Sequence, residues 1–473
     1  MFRCKTFRFY LSVSILAMAV CETVAQTPEY RTTKKIPVFR SLLDSVNYHE
    51  TSQKLQVVSS QKEIDEIKRD SLMQVIYRIT EEGIVRYRTI YYPRMDFVQS
   101  DSLLSVSDFS TVEKLSISGK NGRFTKEVLL CSNLRHIELV NTSIKKIPRG
   151  IKKLKKLEVL EICNNQIRGH LKLTRSTSIS DVSIHGDDAS SLPRSFHKLK
   201  NLERVDLSEN HMERFPSGLG RNKKLKELDL QENNLTLADP RIRALPALER
   251  LSLQHNRIEH LPSAIGKFRK LKRLSLNYNK VTSVGDGVAS LPEIEFISFY
   301  RNRLREIPAA VYGLRSLKVV DLFHNEIETL DTTLNAWKKL EILYLAHNKV
   351  VFLPDNIDGL SALTGLYLDH NRIDRLPASI GKIATLQVIK VNHNWLKAIP
   401  ATVLNLQEIE ELDISNNYIQ EISPALFDFK KYKIFSLANN PWSEETRKFL
   451  PQKVKELRAR DVFVHVMGEQ DKD

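Results

Sequence analysis

Four histidines, His324, His347, His370 and His393, stand 23 residues apart, and His255 lies in the same register further back. Imidazoles bind metals and titrate near neutral pH, so such a column could hold zinc or copper, or form a rim whose charge changes with pH. A metal site wants convergent ligands, whereas residues repeated along a ladder form a line, and no metal is assigned from the sequence. Carboxylates are plentiful, yet none is isolated as a pair for general acid–base work. No Ser/His/Asp or Gly-rich phosphate pattern is present either. The expectation is a protein that is not an enzyme and takes no cofactor.

Aromatic side chains share this register. Tyr278, Phe296, Tyr300, Phe323, Tyr344 and Tyr367 fall in consecutive copies of the same unit, with Arg301, Asp321, Asp369 and Lys390 in the adjoining columns. Strands about 4.8 Å apart would set Tyr344 beside Tyr367 and Tyr300 beside Phe323. Exposed aromatics bury much area at small entropic cost, which is what a protein interface needs. These residues, together with the histidines, form the candidate ligand-binding set.

What must position them is a unit that returns every 23 residues. Asn210, Asn233, Asn256, Asn279, Asn302, Asn325, Asn348, Asn371, Asn394, Asn417 and Asn440 keep step without a slip, and Asn165 stands in an earlier, less regular copy. A fixed period of this size signals a solenoid, each coil burying its apolar face against the next. In Leu363–Thr385, LTGLYLDHNRIDRLPASIGKIAT, Leu366 and Leu368 alternate inward like strand residues while Gly365, Tyr367 and Asp369 face out. Asn371 follows where the chain leaves the sheet, and its amide has the donors and acceptor to satisfy backbone groups of its own and the adjoining coil. Ile373, Leu376, Ile380 and Ile383 supply the return path's inward residues, with Pro377 punctuating it.

The pattern Leu-x-x-Leu-x-Leu-x-x-Asn-x-Ile-x-x-Leu-Pro-x-x-Ile-Gly closely resembles the leucine-rich repeat family, in particular the 23-residue subclass of Ras-pathway scaffolds and plant Ras-group repeat proteins. The resemblance covers Val112 to Asn440. It implies an α/β solenoid, a horseshoe with a parallel sheet on its concave face, used mostly to bind proteins, and it implies no enzymatic activity. Fifteen strand starts are expected, from Val112 and Leu134 to Ile409 and Tyr432; in the first four copies Lys120, Thr142 and Asp187 take the place of asparagine.

The expected domains are a signal peptide (1–25), an N-terminal capping region (26–111), the repeats (112–440) and a C-terminal cap (441–473). Arg3, Lys5 and Arg8 precede an apolar run from Tyr10 to Val20 and small residues before Gln26, the order of a secretory leader, so an exported protein is expected, secreted or at the cell surface or in the periplasm. Cys21 could carry a lipid. Ile64, Ile67, Leu72, Ile76 and Ile79 recur at helical spacing in the capping region, and Ser443-Glu444-Glu445 opens a closing helix reaching to Arg460, followed by the apolar Val462-Phe463-Val464. Only Cys131 and Cys163 lie in the mature chain, and whether they pair is open.

The chain carries a formal charge of +15, with lysines crowded at 145, 146, 152, 153, 155 and 156. The columns assigned to the concave face are acidic instead, which argues against nucleic acid as its ligand. A protein or peptide bound by a monomer is the expected partner. A surface protein holding anionic lipid or glycan through the basic stripe, and a cytoplasmic signalling scaffold, are the alternatives; a membrane partner is expected only through Cys21 or that stripe.

Overall fold

The computed structural model describes residues 33–39, 84–91 and 94–466, apart from 166, 168–171, 193 and 239–241. The leader, Cys21 and the apolar spacing from Ile64 to Ile79 lie outside the described residues. Two compact units divide at Phe97 and Val98. Of the first, the described part is residues 94–97 and an antiparallel pair, Thr33–Phe39 with Ile84–Tyr91, whose register shifts between Val38 and Phe39.

In the second unit each of the fifteen expected copies contributes a strand two residues after its start, from Lys114–Ser118 to Ile434–Ser436. All pair in parallel, in register, with the copies before and after: Tyr344 sits opposite Tyr367, and Asp206 opposite Asp229. The sheet is open and two strands longer than the periodicity indicates. Val98–Gln99 pairs with Leu115 and Ser116 at one end, and Phe463–His465 pairs with Ile434–Ser436 at the other. The tail's apolar residues thus cover the last strand's unpaired edge, the usual liability of an open sheet. Glu444–Arg458 forms the closing helix, its first turn capped by Ser443, whose side chain accepts from Thr446 N. Among the described residues no helix is long and apolar enough to cross a membrane.

Leu366, Leu368, Ile373, Leu376, Ile380 and Ile383 are all buried, as are most of their counterparts in the other coils, and they make one continuous apolar core. Burying each such side chain stabilises by about 1.5–3 kcal/mol before entropy is counted. Short 3-10 turns bring the chain back, as at Ala378–Lys382 behind Pro377. Coils approach so closely there that a Cβ on Gly381 would lie 2.0 Å from Thr402 O, which accounts for the glycine after isoleucine. Cys131 and Cys163 are buried thiols with no disulfide between them.

The asparagines do what their chemistry allows. Asn371 Nδ2 donates to Leu368 O (2.9 Å), Asp369 O (3.3 Å) and, on the preceding coil, Leu345 O (2.9 Å), while its Oδ1 accepts from Val350 N (2.9 Å). The same set recurs at Asn210, Asn233, Asn256, Asn279, Asn325, Asn348, Asn394, Asn417 and Asn440; Asn302 makes it with one own-coil carbonyl fewer. Asn165 is likewise buried, donating to Leu139 O and Cys163 O.

Candidate binding surface

One backbone feature decides where the histidines point. The residue before each ladder position is left-handed in all fifteen coils: Gly119 and Gly186 at φ 77° and 59°, and otherwise side-chain-bearing residues, from Asn141 (55°) through Tyr278 (55°), Arg301 (52°) and His370 (54°) to Asn439 (56°). That region is unfavourable for most L-residues but several-fold enriched in Asn, Asp and His. A backbone requirement therefore explains the abundance of histidine and asparagine in this column. The sequence signal was the recurrence of those two types where glycine is the simplest solution, and the sequence reading passed over it.

Held this way on successive coils, the imidazoles stack. Ring centroids lie 4.3 Å apart for His324–His347, 4.1 Å for His347–His370 and 4.1 Å for His370–His393. His255 stacks on Tyr278 at 4.2 Å, and the Arg301 guanidinium lies 5.6 Å from the Tyr278 ring. Burial and the neighbouring His370 push the His347 imidazole down to about 4, so it is neutral at pH 7. Asp369 lies beside the column, its Oδ2 3.1 Å from His370 Nδ1.

The aromatics meet in two groups. Tyr300 and Phe323 stack at 5.4 Å, joined by Tyr278 edge-on at 5.2 Å from Tyr300, and Tyr344 stacks on Tyr367 at 4.6 Å. Phe323 also packs against His347 (5.0 Å), linking the first group to the imidazoles. Gly365 is buried beneath Tyr367: a Cβ there would lie 3.0 Å from Tyr367 Cε2. The glycine faces the same side of the sheet as Tyr367, as its place in the strand suggests, and is covered because it is the seat for that ring.

Other members of the expected set are spoken for. Phe296 is only 4% exposed, with the Arg273 guanidinium 4.2 Å above its ring, so it lies under the surface instead of on it. Asp321 accepts from Ser298 Oγ (2.7 Å) and Phe323 N (3.1 Å), and burial raises its carboxyl to about 6. Lys390 forms a half-buried ion pair with Glu411 at 2.8 Å.

The acidic excess counted along the columns shrinks for the same reason. Arg204 pairs with Asp181 and Arg250 with Glu227 across neighbouring strands. Glu161 faces His136 at 3.2 Å, and Asp206 faces His185 at 3.6 Å. Burial, then repulsion from Asp206, raises Asp229 to about 7, and burial also raises Asp413. Much of the carboxylate on this face is therefore paired or partly neutral. The flank is ion-paired too, coil to coil, as in Lys226–Glu203 (2.8 Å), Lys272–Glu249 (3.2 Å) and Lys318–Glu295 (3.4 Å).

A leucine-rich repeat family model matches residues 223–281, 269–327 and 328–373, and a second leucine-rich repeat model matches residues 408–429. This is a leucine-rich repeat protein. Among solved structures, a Leptospira interrogans leucine-rich repeat protein is 22% identical with a TM-score of 0.64, over 79% of this chain and 98% of that one. Drosophila Toll in the glycosylated Toll–Spätzle complex is 19% identical with a TM-score of 0.62, over 77% of this chain and 60% of that one. Both show the fold. The flightless-1 homologue of Caenorhabditis elegans is 27% identical over 114 residues, and the match spans 22% of this chain and 9% of that protein's length.

Proposed function

We propose that this leucine-rich repeat protein is a non-enzymatic binding module that takes a protein or peptide on its concave face, over the coils from Leu271 to Leu386, outside the cytoplasm. The observation that carries the reading is the pair of stacked aromatic groups, Tyr278–Tyr300–Phe323 and Tyr344–Tyr367, lying half-buried on an open sheet. Rings held by neighbours have little rotamer freedom left to lose, and so suit a partner's apolar anchors. Because the acids around them are largely paired, contact area and not long-range charge would set affinity. The structurally similar Toll chain is in complex with Spätzle, which fits a protein partner. The basic, apolar, small-residue order of residues 1–25 supports export, and Gln26 as the first residue of the protein from its native cell would bear that out.

The test is affinity capture from native-cell or host extract with residues 26–473, comparing wild type with a Tyr300→Ala, Tyr344→Ala, Tyr367→Ala triple variant. The expected result is a partner lost from the variant while its thermal melting stays close to wild type. Capture that is unchanged in the variant sinks the placement.

A second reading has its own observation. Arg123, Lys145, Lys146 and Arg149 surround a shallow cleft of about 460 Å³ floored by Phe124, Ile144 and Pro148, and among the described residues none of these four cations has an ion pair. Such a cleft suits an anionic lipid or glycan. Sedimentation with anionic vesicles or polysaccharide that weakens at high salt would favour it.

A further inference from the structure

The imidazole column brings three donors of metal-ligand type to one place. One ligand atom from each of His347, Asp369 and His370 lies within 4.8 Å of the other two. We propose that these three side chains form a binding site for a divalent transition-metal ion, with zinc the best match.

Two imidazoles and one carboxylate suit borderline ions such as zinc, whereas calcium and magnesium prefer oxygen donors alone. In a tetrahedral site with bonds of about 2.1 Å the donors stand roughly 3.4 Å apart. Asp369 Oδ2 and His370 Nδ1 already approach that at 3.1 Å. The stacked rings of His347 and His370, 4.1 Å apart and 11° from parallel, need a tilt towards each other, made by rotating the half-exposed His370 side chain.

The main chain beneath is fixed. His347 N donates to Asp369 O (2.9 Å) and His370 N to Asn392 O (3.0 Å), and both histidines are left-handed at φ 52° and 54°. Register between the ligands is thus set by the solenoid, and side-chain rotation alone completes the site. Repetition along the ladder gives a line of histidines; the carboxylate at Asp369, where the neighbouring coils carry Ala346 and Asn392, makes one step of that line convergent. Three protein ligands leave a fourth position for water or a partner's donor.

Isothermal titration of tag-free full-length protein with zinc chloride alone, at neutral pH in a non-chelating buffer, tests the site. Replacing the histidines by asparagine keeps the left-handed backbone comfortable, since Asn416 and Asn439 already occupy that column. Saturable one-to-one binding is expected, weakened about tenfold or more by His347→Asn, by His370→Asn and by Asp369→Asn, but less than twofold by His136→Asn on a distant coil. Cobalt(II) absorption lost in the same three variants provides a second readout, and circular dichroism checks that they fold. Absence of saturable binding, or equal affinity in wild type and the three variants, overturns the proposal. So does loss confined to His136→Asn.

Discussion

The four coils with strands between Lys114 and His185 and the eleven from Arg204 onward share one plan but fill it differently. The early strands are five residues long and the later ones three. In the later coils every ladder position is asparagine; in the early ones only Asn165 is. Thr142 turns its hydroxyl onto Asn165 Oδ1 and accepts from Ile144 N at 3.3 Å. Asp187 keeps an acceptor's role, taking Asn165 N, but its buried Oδ2 has no partner. The contrast separates asparagine's two functions, since acceptance survives in Thr142 and Asp187 and donation to three carbonyls does not.

The largest effect that tests this contrast should come from Asn371→Ala. It strips a donor from Leu345 O, Leu368 O and Asp369 O and an acceptor from Val350 N, all in the interior. A loss of about 3–4 kcal/mol in urea unfolding is expected, against about 1 kcal/mol for Thr142→Ala. Equal losses would break the comparison.

Next comes Asp187. Burial raises its carboxyl from 3.8 to about 7, so the folded protein favours the neutral acid. Its contribution is complete below pH 4 and is lost as pH rises towards 7. Asp187→Asn, which restores both donor and acceptor, should stabilise by about 2 kcal/mol at pH 8 and by clearly less at pH 4. A gain independent of pH would show that the carboxyl is not the cause.

Gly365→Val should move stability by about 1 kcal/mol or less, yet unseat Tyr367 and weaken partner capture as Tyr367→Ala does. Retained capture would detach the ring's position from binding. Smallest of all, His393→Gly should stabilise by a few tenths of a kcal/mol, because the residue sits at φ 53° where glycine is at ease. Destabilisation there would mean that stacking on His370 outweighs backbone strain.

The regular coils were legible because their signals repeat. Leu366, Leu368 and Asn371 recur often enough to fix strand starts, core and ladder, and the neighbours Tyr344–Tyr367 and Tyr300–Phe323 followed from the period alone. The closing helix after Ser443 was legible from its cap, but the two end strands were not, because nothing there recurs: Val98–Gln99 is a strand of two residues, and Phe463–His465 joins the sheet only through its partner. Columns also cannot show how deep a side chain sits. Phe296 reads like Tyr300 in a list of aromatics, but one lies beneath Arg273 and the other at the surface. Counting acids by column likewise overlooks pairing between coils, such as Arg250 with Glu227.

The left-handed column has an evolutionary consequence. Hydrogen bonds between coils, not the side chain, impose the backbone at that position, and His, Tyr, Arg, Glu and Asn all occupy it. A lineage can rewrite the outward character of a coil there by a single codon change, leaving the sheet in place. The row from His255 to Asn439 is in this sense a line of letters that can be exchanged among the residue types a left-handed backbone tolerates, at little cost to the scaffold.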